Sequence, residues 1–210
     1  MKLVLVDACG ANIRSVLGAL DRAGCDVTVS ADAEVVKTAD KVILPGVGTA
    51  GDAMQRLKQH KLDVLIPLLE QPVLGICIGM QVLFAGSEED NVDCLGVFPE
   101  RLRRFPVDKT RPVPHMGWNT VSPVGITAES VGSTESEHPL LAGINEVDHC
   151  YFVHSYAAPV FESTIAVTDY GRPFTAAVAS GNFMGVQFHP ERSGEIGQRL
   201  LNNFLNEKVC

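Results

Sequence analysis

Residues 75–81 read Gly-Ile-Cys-Ile-Gly-Met-Gln, and residues 185–191 read Gly-Val-Gln-Phe-His-Pro-Glu. The first segment sets a cysteine between two glycines, after an apolar run and before a helical one. That is the form of a nucleophile elbow, a sharp strand-to-helix turn where bulky neighbours would collide. A thiol there meets the positive end of a helix dipole, which favours the reactive anion. The next backbone N–H, at Ile78, lies where an oxyanion would form. Without chemistry, Gly75 and Gly79 would only allow close packing around a buried Cys77.

A thiol nucleophile needs a base that takes its proton and later returns one to a leaving group. His189 follows an apolar strand, so it stands at a strand end, where open α/β sheets place their sites. Glu191 is two residues on, and in extended chain i and i+2 project to the same side. A carboxylate there orients the imidazole and stabilises its cation. A lone His-Pro-Glu is ordinary surface; beside the elbow it reads as the rest of a triad.

Residues 45–48, Pro-Gly-Val-Gly, directly follow the apolar run 42–44. Small residues there let the backbone approach a ligand, and a Gly-Val peptide plane is free to flip. An ordinary strand-to-helix turn would look the same. His154, in Tyr-Phe-Val-His-Ser-Tyr, either lines a substrate cleft or is a satisfied core histidine. No histidine–carboxylate cluster has metal-ligand spacing, so no metal is expected.

The elements around these segments must position them. Apolar runs at 2–6, 26–30, 42–44 and 72–76 read as short buried strands. Helical patterns fall at 12–23, 50–70 (in one or two pieces) and 78–85. The alternation predicts an α/β fold: a mostly parallel sheet with helices on both faces. Strand-like segments at 113–121, 150–158, 162–168, 174–179 and 183–188 predict an antiparallel extension that returns to the main sheet. Residues 122–138 read as an exposed loop and 193–206 as a closing helix.

The chain has 210 residues and a net charge of -8, which argues against a nucleic-acid binder despite the local cluster Arg101, Arg103, Arg104, Lys109 and Arg111. The short apolar start ends at Asp7 and resembles no signal peptide, and no segment has the length of a membrane span. A cytoplasmic protein is expected. Six widely spaced cysteines without a C-x-x-C pair argue against disulfides.

Five segments occur in order: 45–48, 75–81, Pro-His-Met-Gly-Trp-Asn at 114–119, 151–156, and 185–193. Together they resemble the class I glutamine amidotransferases, the Cys-His-Glu glutaminases, and among these the glutaminase subunits of imidazole glycerol phosphate synthases. Segment 114–119 carries the finer likeness, because the triad is common to the whole class. A free-standing cysteine hydrolase would not require Gln81 or the Pro-Gly-Val-Gly loop. A non-catalytic module would be expected to have lost a triad member.

The resemblance implies one type 1 amidotransferase domain over 1–210, with a three-layer fold. It implies that Cys77 attacks the side-chain amide of glutamine, His189 shuttles the proton and Glu191 orients His189. Gly46, Val47 and Ile78 would form the oxyanion hole. Gly48, Gln81, Glu100, Ser155 and Tyr156 would hold the substrate. No cofactor is implied. Ammonia would pass from the thioester reaction to a separate (β/α)8-barrel cyclase subunit, forming a heterodimer. That partner would make imidazole glycerol phosphate and AICAR from PRFAR in histidine biosynthesis. Asn12, Arg14, Met116 and Trp118 would face it, although a lone tryptophan is otherwise most often core. The flippable Gly46–Val47 peptide implies weak activity until the liganded partner binds.

Overall fold

The computed structural model describes residues 1–8, 13–106, 109, 111–124 and 138–206. The chain opens with β1 (Leu3–Val6), α1 (Ile13–Arg22), β2 (Val27–Ser30), α2 (Ala33–Lys37) and β3 (Lys41–Gly46). Next come α3 (Ala50–Gln59), α4 (Leu62–Leu65), β4 (Val73–Cys77), α5 (Ile78–Gln81), β5 (Phe84–Ser87), β6 (Val92–Asp93) and β7 (Phe98–Arg104). The second half holds β8 (His115–Thr120), β9 (Ser122–Pro123), β10 (His149–His154), β11 (Tyr156–Ala157) and β12 (Thr164–Asp169). It closes with β13 (Pro173–Ser180), β14 (Phe183–Val186) and α6 (Gly194–Asn206).

The main sheet runs β2-β1-β3-β4-β14-β13-β12-β9. Neighbours from β2 to β14 are parallel, and those from β14 to β9 antiparallel. This is the expected parallel sheet with an antiparallel extension. The physical reason lies in burial. β1, β3, β4 and β14 are buried at every position, as strands covered on both faces must be. β2, at the edge, is only partly covered. α1 buries Val16, Ala19 and Leu20 along one stripe, and α6 buries Gly197, Leu200, Leu201 and Phe204.

Several boundaries differ from the sequence expectation. The helix expected over 78–85 stops at Gln81, because Phe84–Ser87 enters a second sheet, β11-β7-β5-β6. Phe84 packs there on Phe98 and Phe161, with ring centroids 5.1 and 5.8 Å away. Aromatic burial overrides helical pattern. The expected strand 150–158 is two strands in different sheets: β10 pairs with β8, and β11 pairs with β7. β3 continues through Pro45-Gly46, because its ladder to β4 extends three residues past its ladder to β1. α2 carries no long periodicity, but Asp32 caps it by accepting from the Glu34 and Val35 N–H groups. In the segment expected as a loop, residues 122–123 pair with β12, and 125–137 lie outside the described residues. No helix among the described residues is long and apolar enough to cross a membrane.

Candidate active site

Three adjacent parallel strands bring the chemistry together. β3, β4 and β14 are neighbours, and their C-terminal ends carry Gly46, Cys77 and the His189 segment. Gly46 is the register partner of Cys77, and Ile76 that of Val186. Gln187 therefore stands one residue beyond the last paired row, and His189 two further on. This is the strand-end placement that an open α/β sheet favours.

Cys77 has φ 53° and ψ -111°. For a residue with a Cβ this costs on the order of 1–3 kcal/mol and persists only where packing demands it. Packing here does so, because a Cβ on Gly79 would overlap the Leu44 carbonyl oxygen of the neighbouring strand. The turn thus turns the thiol to one side of the sheet end while α5 packs against β3. α5 spans four residues, so its dipole is weaker than a full helix would supply. What remains is local: Ile78 is the first helical residue, so its N–H has no intrahelical acceptor.

His189 is buried, and its Nδ1 lies 2.8 Å from Glu191 Oε1. The Glu191 side chain is buried as well. The His189 N–H donates to the Tyr151 carbonyl at 2.9 Å, and Ser193 Oγ donates to the His189 carbonyl at 2.7 Å. The His189 main chain is therefore pinned at both its polar groups, and Glu191 holds the ring itself. Burial opposes its charged form, but the neighbouring Cys77 sulfur and the Glu191 carboxylate outweigh burial and raise its pKa above the ordinary imidazole value. Nε2 makes no formed hydrogen bond among the described residues, although the Cys77 thiol stands beside the ring. The two are adjacent without a formed hydrogen bond, as catalytic pairs often are before substrate binds.

A cavity of about 330 Å³ opens over these groups. Its wall includes all three triad residues together with Val47, Gly48, Ile78, Gln81, Ser155 and Tyr156. Gly46 lies behind Val47, in a small adjoining cavity shared with His189 and Glu191. Gln81 is buried, and its Nε2 donates to the Tyr156 carbonyl at 3.2 Å and to Gln187 Oε1 at 2.9 Å. Its Oε1 is buried without a partner among the described residues.

One expected substrate residue is displaced. Glu100 is not part of the cavity wall; Glu89 is. Glu100 sits on β7 four residues before Arg104, the position that faces Tyr156. At about 3.3 Å per residue that separates it by roughly 13 Å from the Tyr156 end of the strand. Glu89 lies in a 3₁₀ turn after β5, and its Oε2 accepts from the Ala50 N–H at 2.9 Å. Burial raises its pKa above the usual carboxylate range, against the Ala50 hydrogen bond. Glu89 follows Cys77 closely, but its acidic neighbours Glu88 and Asp90 gave no sign of which carboxylate turns inward. Gln187, Arg192 and Ser193 were also not singled out as site residues. All three lie within or beside the segment that carries His189.

His154 is both things that the sequence allowed. It lines the cavity and is a satisfied buried histidine. Its Nδ1 lies 2.8 Å from the Tyr156 carbonyl, its Nε2 3.2 Å from His115 Nδ1, and His115 Nε2 3.3 Å from Asn119 Nδ2. The carbonyl only accepts and the amide nitrogen only donates, so both rings are neutral and their tautomers are determined. Burial lowers His154 to about 3 and His115 to about 4.

Met116 and Trp118 alternate with this buried layer on β8 and are 62% and 58% exposed. Trp118 packs edge-on against Tyr151, centroids 6.1 Å apart. Arg14 is exposed on α1. Asn12 lies outside the described residues.

The chain matches the family model "Glutamine amidotransferase class-I" over residues 4–208. A protein of Bacteroides fragilis named imidazole glycerol phosphate synthase subunit HisH is 48% identical over 206 residues, covering 98% of this chain and 99% of its own length. Proteins of the same name from Vibrio parahaemolyticus and Idiomarina loihiensis are 47% and 45% identical, covering 97% of both chains and 100% of both chains. A solved glutamine amidotransferase superposes with TM-score 0.70 at 18% identity, covering 96% of each chain. A chain of PurLQS from Thermotoga maritima does so with TM-score 0.71 at 17% identity, covering 98% of this chain and 97% of its own. At those identities the structures speak for the fold alone. The triad-type cavity, the full-length family match and the relatives near 48% identity agree: the chain belongs to the class I glutamine amidotransferases, in the family of the imidazole glycerol phosphate synthase subunit HisH.

Proposed function

We propose that this chain hydrolyses glutamine to glutamate and ammonia through a Cys77 thioester, and delivers the ammonia to a cyclase subunit. Cys77 Sγ attacks the side-chain amide carbon while His189 takes the thiol proton. The carbonyl oxygen becomes an oxyanion, stabilised by the Val47 N–H of the Gly46–Val47 peptide and the Ile78 N–H. His189 returns the proton to the departing nitrogen, ammonia leaves, and a γ-glutamyl thioester remains. His189 then activates water, which releases glutamate and restores the thiol. Glu191 holds the imidazole and its charge throughout.

Gln81 Oε1 and the Glu89 carboxylate are the acceptors suited to the α-ammonium of glutamine, and the backbone of Gly48, Ser155 and Tyr156 completes the wall. Glu89 replaces Glu100 in this role. The partner is a separate (β/α)8-barrel cyclase in a cytoplasmic heterodimer, contacted through Met116, Trp118 and Arg14. It would convert PRFAR to imidazole glycerol phosphate and AICAR. No nucleic acid or membrane takes part. The flippable Gly46–Val47 peptide would keep hydrolysis low until the liganded cyclase docks.

The observation that carries this reading is the strained Cys77 facing one cavity with the buried His189–Glu191 pair. A glutaminase assay with the cyclase and its ligand tests it. Wild type should release glutamate, and Cys77→Ala should release none. Hydrolysis by Cys77→Ala would overturn the mechanism, and full wild-type activity without partner would overturn the gating.

A further inference from the structure

Gln187 is a buried amide that the triad chemistry leaves unused. Its Nε2 lies 3.9 Å from Cys77 Sγ, and its Oε1 accepts from Gln81 Nε2 at 2.9 Å. The orientation of this amide is determined by its neighbours. The Tyr156 carbonyl only accepts, so the Gln81 group facing it at 3.2 Å is the nitrogen. The same nitrogen donates to Gln187, so Gln187 turns its oxygen toward Gln81. Its NH₂ must then point at the sulfur. Gln187 and His189 are i and i+2 in the chain that continues β14, so their side chains project to the same side, with Gln187 behind the cavity wall.

We propose that Gln187 is a positioning residue for the nucleophile. Its N–H donor holds Sγ toward His189 and stabilises the sulfur anion at the moment of attack. Its carbonyl side holds Gln81, so one amide aligns the nucleophile and the substrate anchor together. A donor aimed at an anion is worth more in a buried site than in water. The inference rests on the glutaminase reading above.

Two full-length variants test it in complex with the cyclase and its ligand. Gln187→Glu keeps the shape and the acceptor toward Gln81 but replaces the donor toward sulfur with a carboxylate oxygen. Gln187→Met keeps the bulk and removes both. Three quantities are read: kcat and KM for glutamine, the rate of Cys77 alkylation by iodoacetamide followed on its own peptide by mass spectrometry, and the thermal unfolding midpoint. For folded Gln187→Glu, kcat and Cys77 alkylation should both fall about 10–100-fold, the scale of one charge-assisted hydrogen bond. KM should stay within about threefold of wild type, since the Gln81 contact survives. Gln187→Met should lose the same factor in alkylation and also raise KM. Unchanged alkylation in either folded variant overturns the proposal, as does failure of both variants to fold, which would make the amide purely structural. Cys77→Ala, run beside them, separates the two ideas. Residual hydrolysis there rejects the glutaminase reading, whereas an inert Cys77→Ala with a wild-type Gln187→Glu rejects only the role of Gln187.

Discussion

Gly46 stands directly across the β3–β4 ladder from Cys77, so the loop that would supply an oxyanion donor is held in register with the nucleophile. An ideal Cβ at Gly46 would lie 2.8 Å from both the Gly79 nitrogen and the Ile78 Cβ. Neither can retreat without moving the elbow. Gly46→Ala should therefore lower kcat by about 10²-fold, the cost of misplacing one oxyanion donor. Steady-state glutamine hydrolysis with the liganded partner measures this, and a near-wild-type kcat would remove Gly46 from the hole.

Glu89 and Glu100 offer a direct contrast. Glu89 borders the cavity and Glu100 does not. Glu89→Gln should raise KM for glutamine by about 10-fold or more, because a charge-assisted contact to the α-ammonium is lost. Glu100→Gln should leave KM within about twofold. The reverse order would return the role to Glu100.

The His115–His154 pair should make the protein sensitive to mild acid. Both rings are held neutral, with pKa values of about 4 and about 3 against an ordinary 6.5. Between those values the unfolded chain binds more protons than the folded one, so stability falls as pH drops from about 6.5 toward 4. Urea unfolding of wild type and of a His115→Gln/His154→Gln double variant should show a steeper acid loss for wild type. Equal slopes would mean that other groups govern acid unfolding.

Trp118 is exposed beside Met116 on β8, an aromatic that a folded chain would ordinarily cover. Trp118→Ala should weaken binding to the cyclase by about 30-fold or more, as anchor aromatics do. Its effect on the unfolding midpoint of the chain alone should be small. Titration calorimetry against the cyclase decides, and unchanged affinity would place the interface elsewhere.

Much of the site was legible in the sequence because its chemistry is local. An elbow needs small residues two places either side of its nucleophile, and Gly75 and Gly79 supply them. A base and its orienter on extended chain need spacing of two, and His189 and Glu191 have it. Continuous apolar runs announced the buried parallel strands, because strands covered on both faces have no polar side to show. The contacts between distant segments were not legible. Phe84 leaves its helix for a partner 14 residues away and another 77 away, which no local pattern encodes.

The sequence by itself therefore determined the residue types of the reaction, their local geometry and the presence of buried parallel strands, while their order in the sheet came from the tertiary structure. Only the tertiary structure decided which carboxylate reaches the cavity, which way the Gln187 amide points and which tautomers His115 and His154 hold. Those depend on acceptors and donors brought together through space: the Ala50 N–H for Glu89, the Tyr156 carbonyl for Gln81 and His154, and Asn119 for His115. A hydrogen bond is directional and short, so its partners are settled by where the folded chain places them, not by the spacing of residues along it.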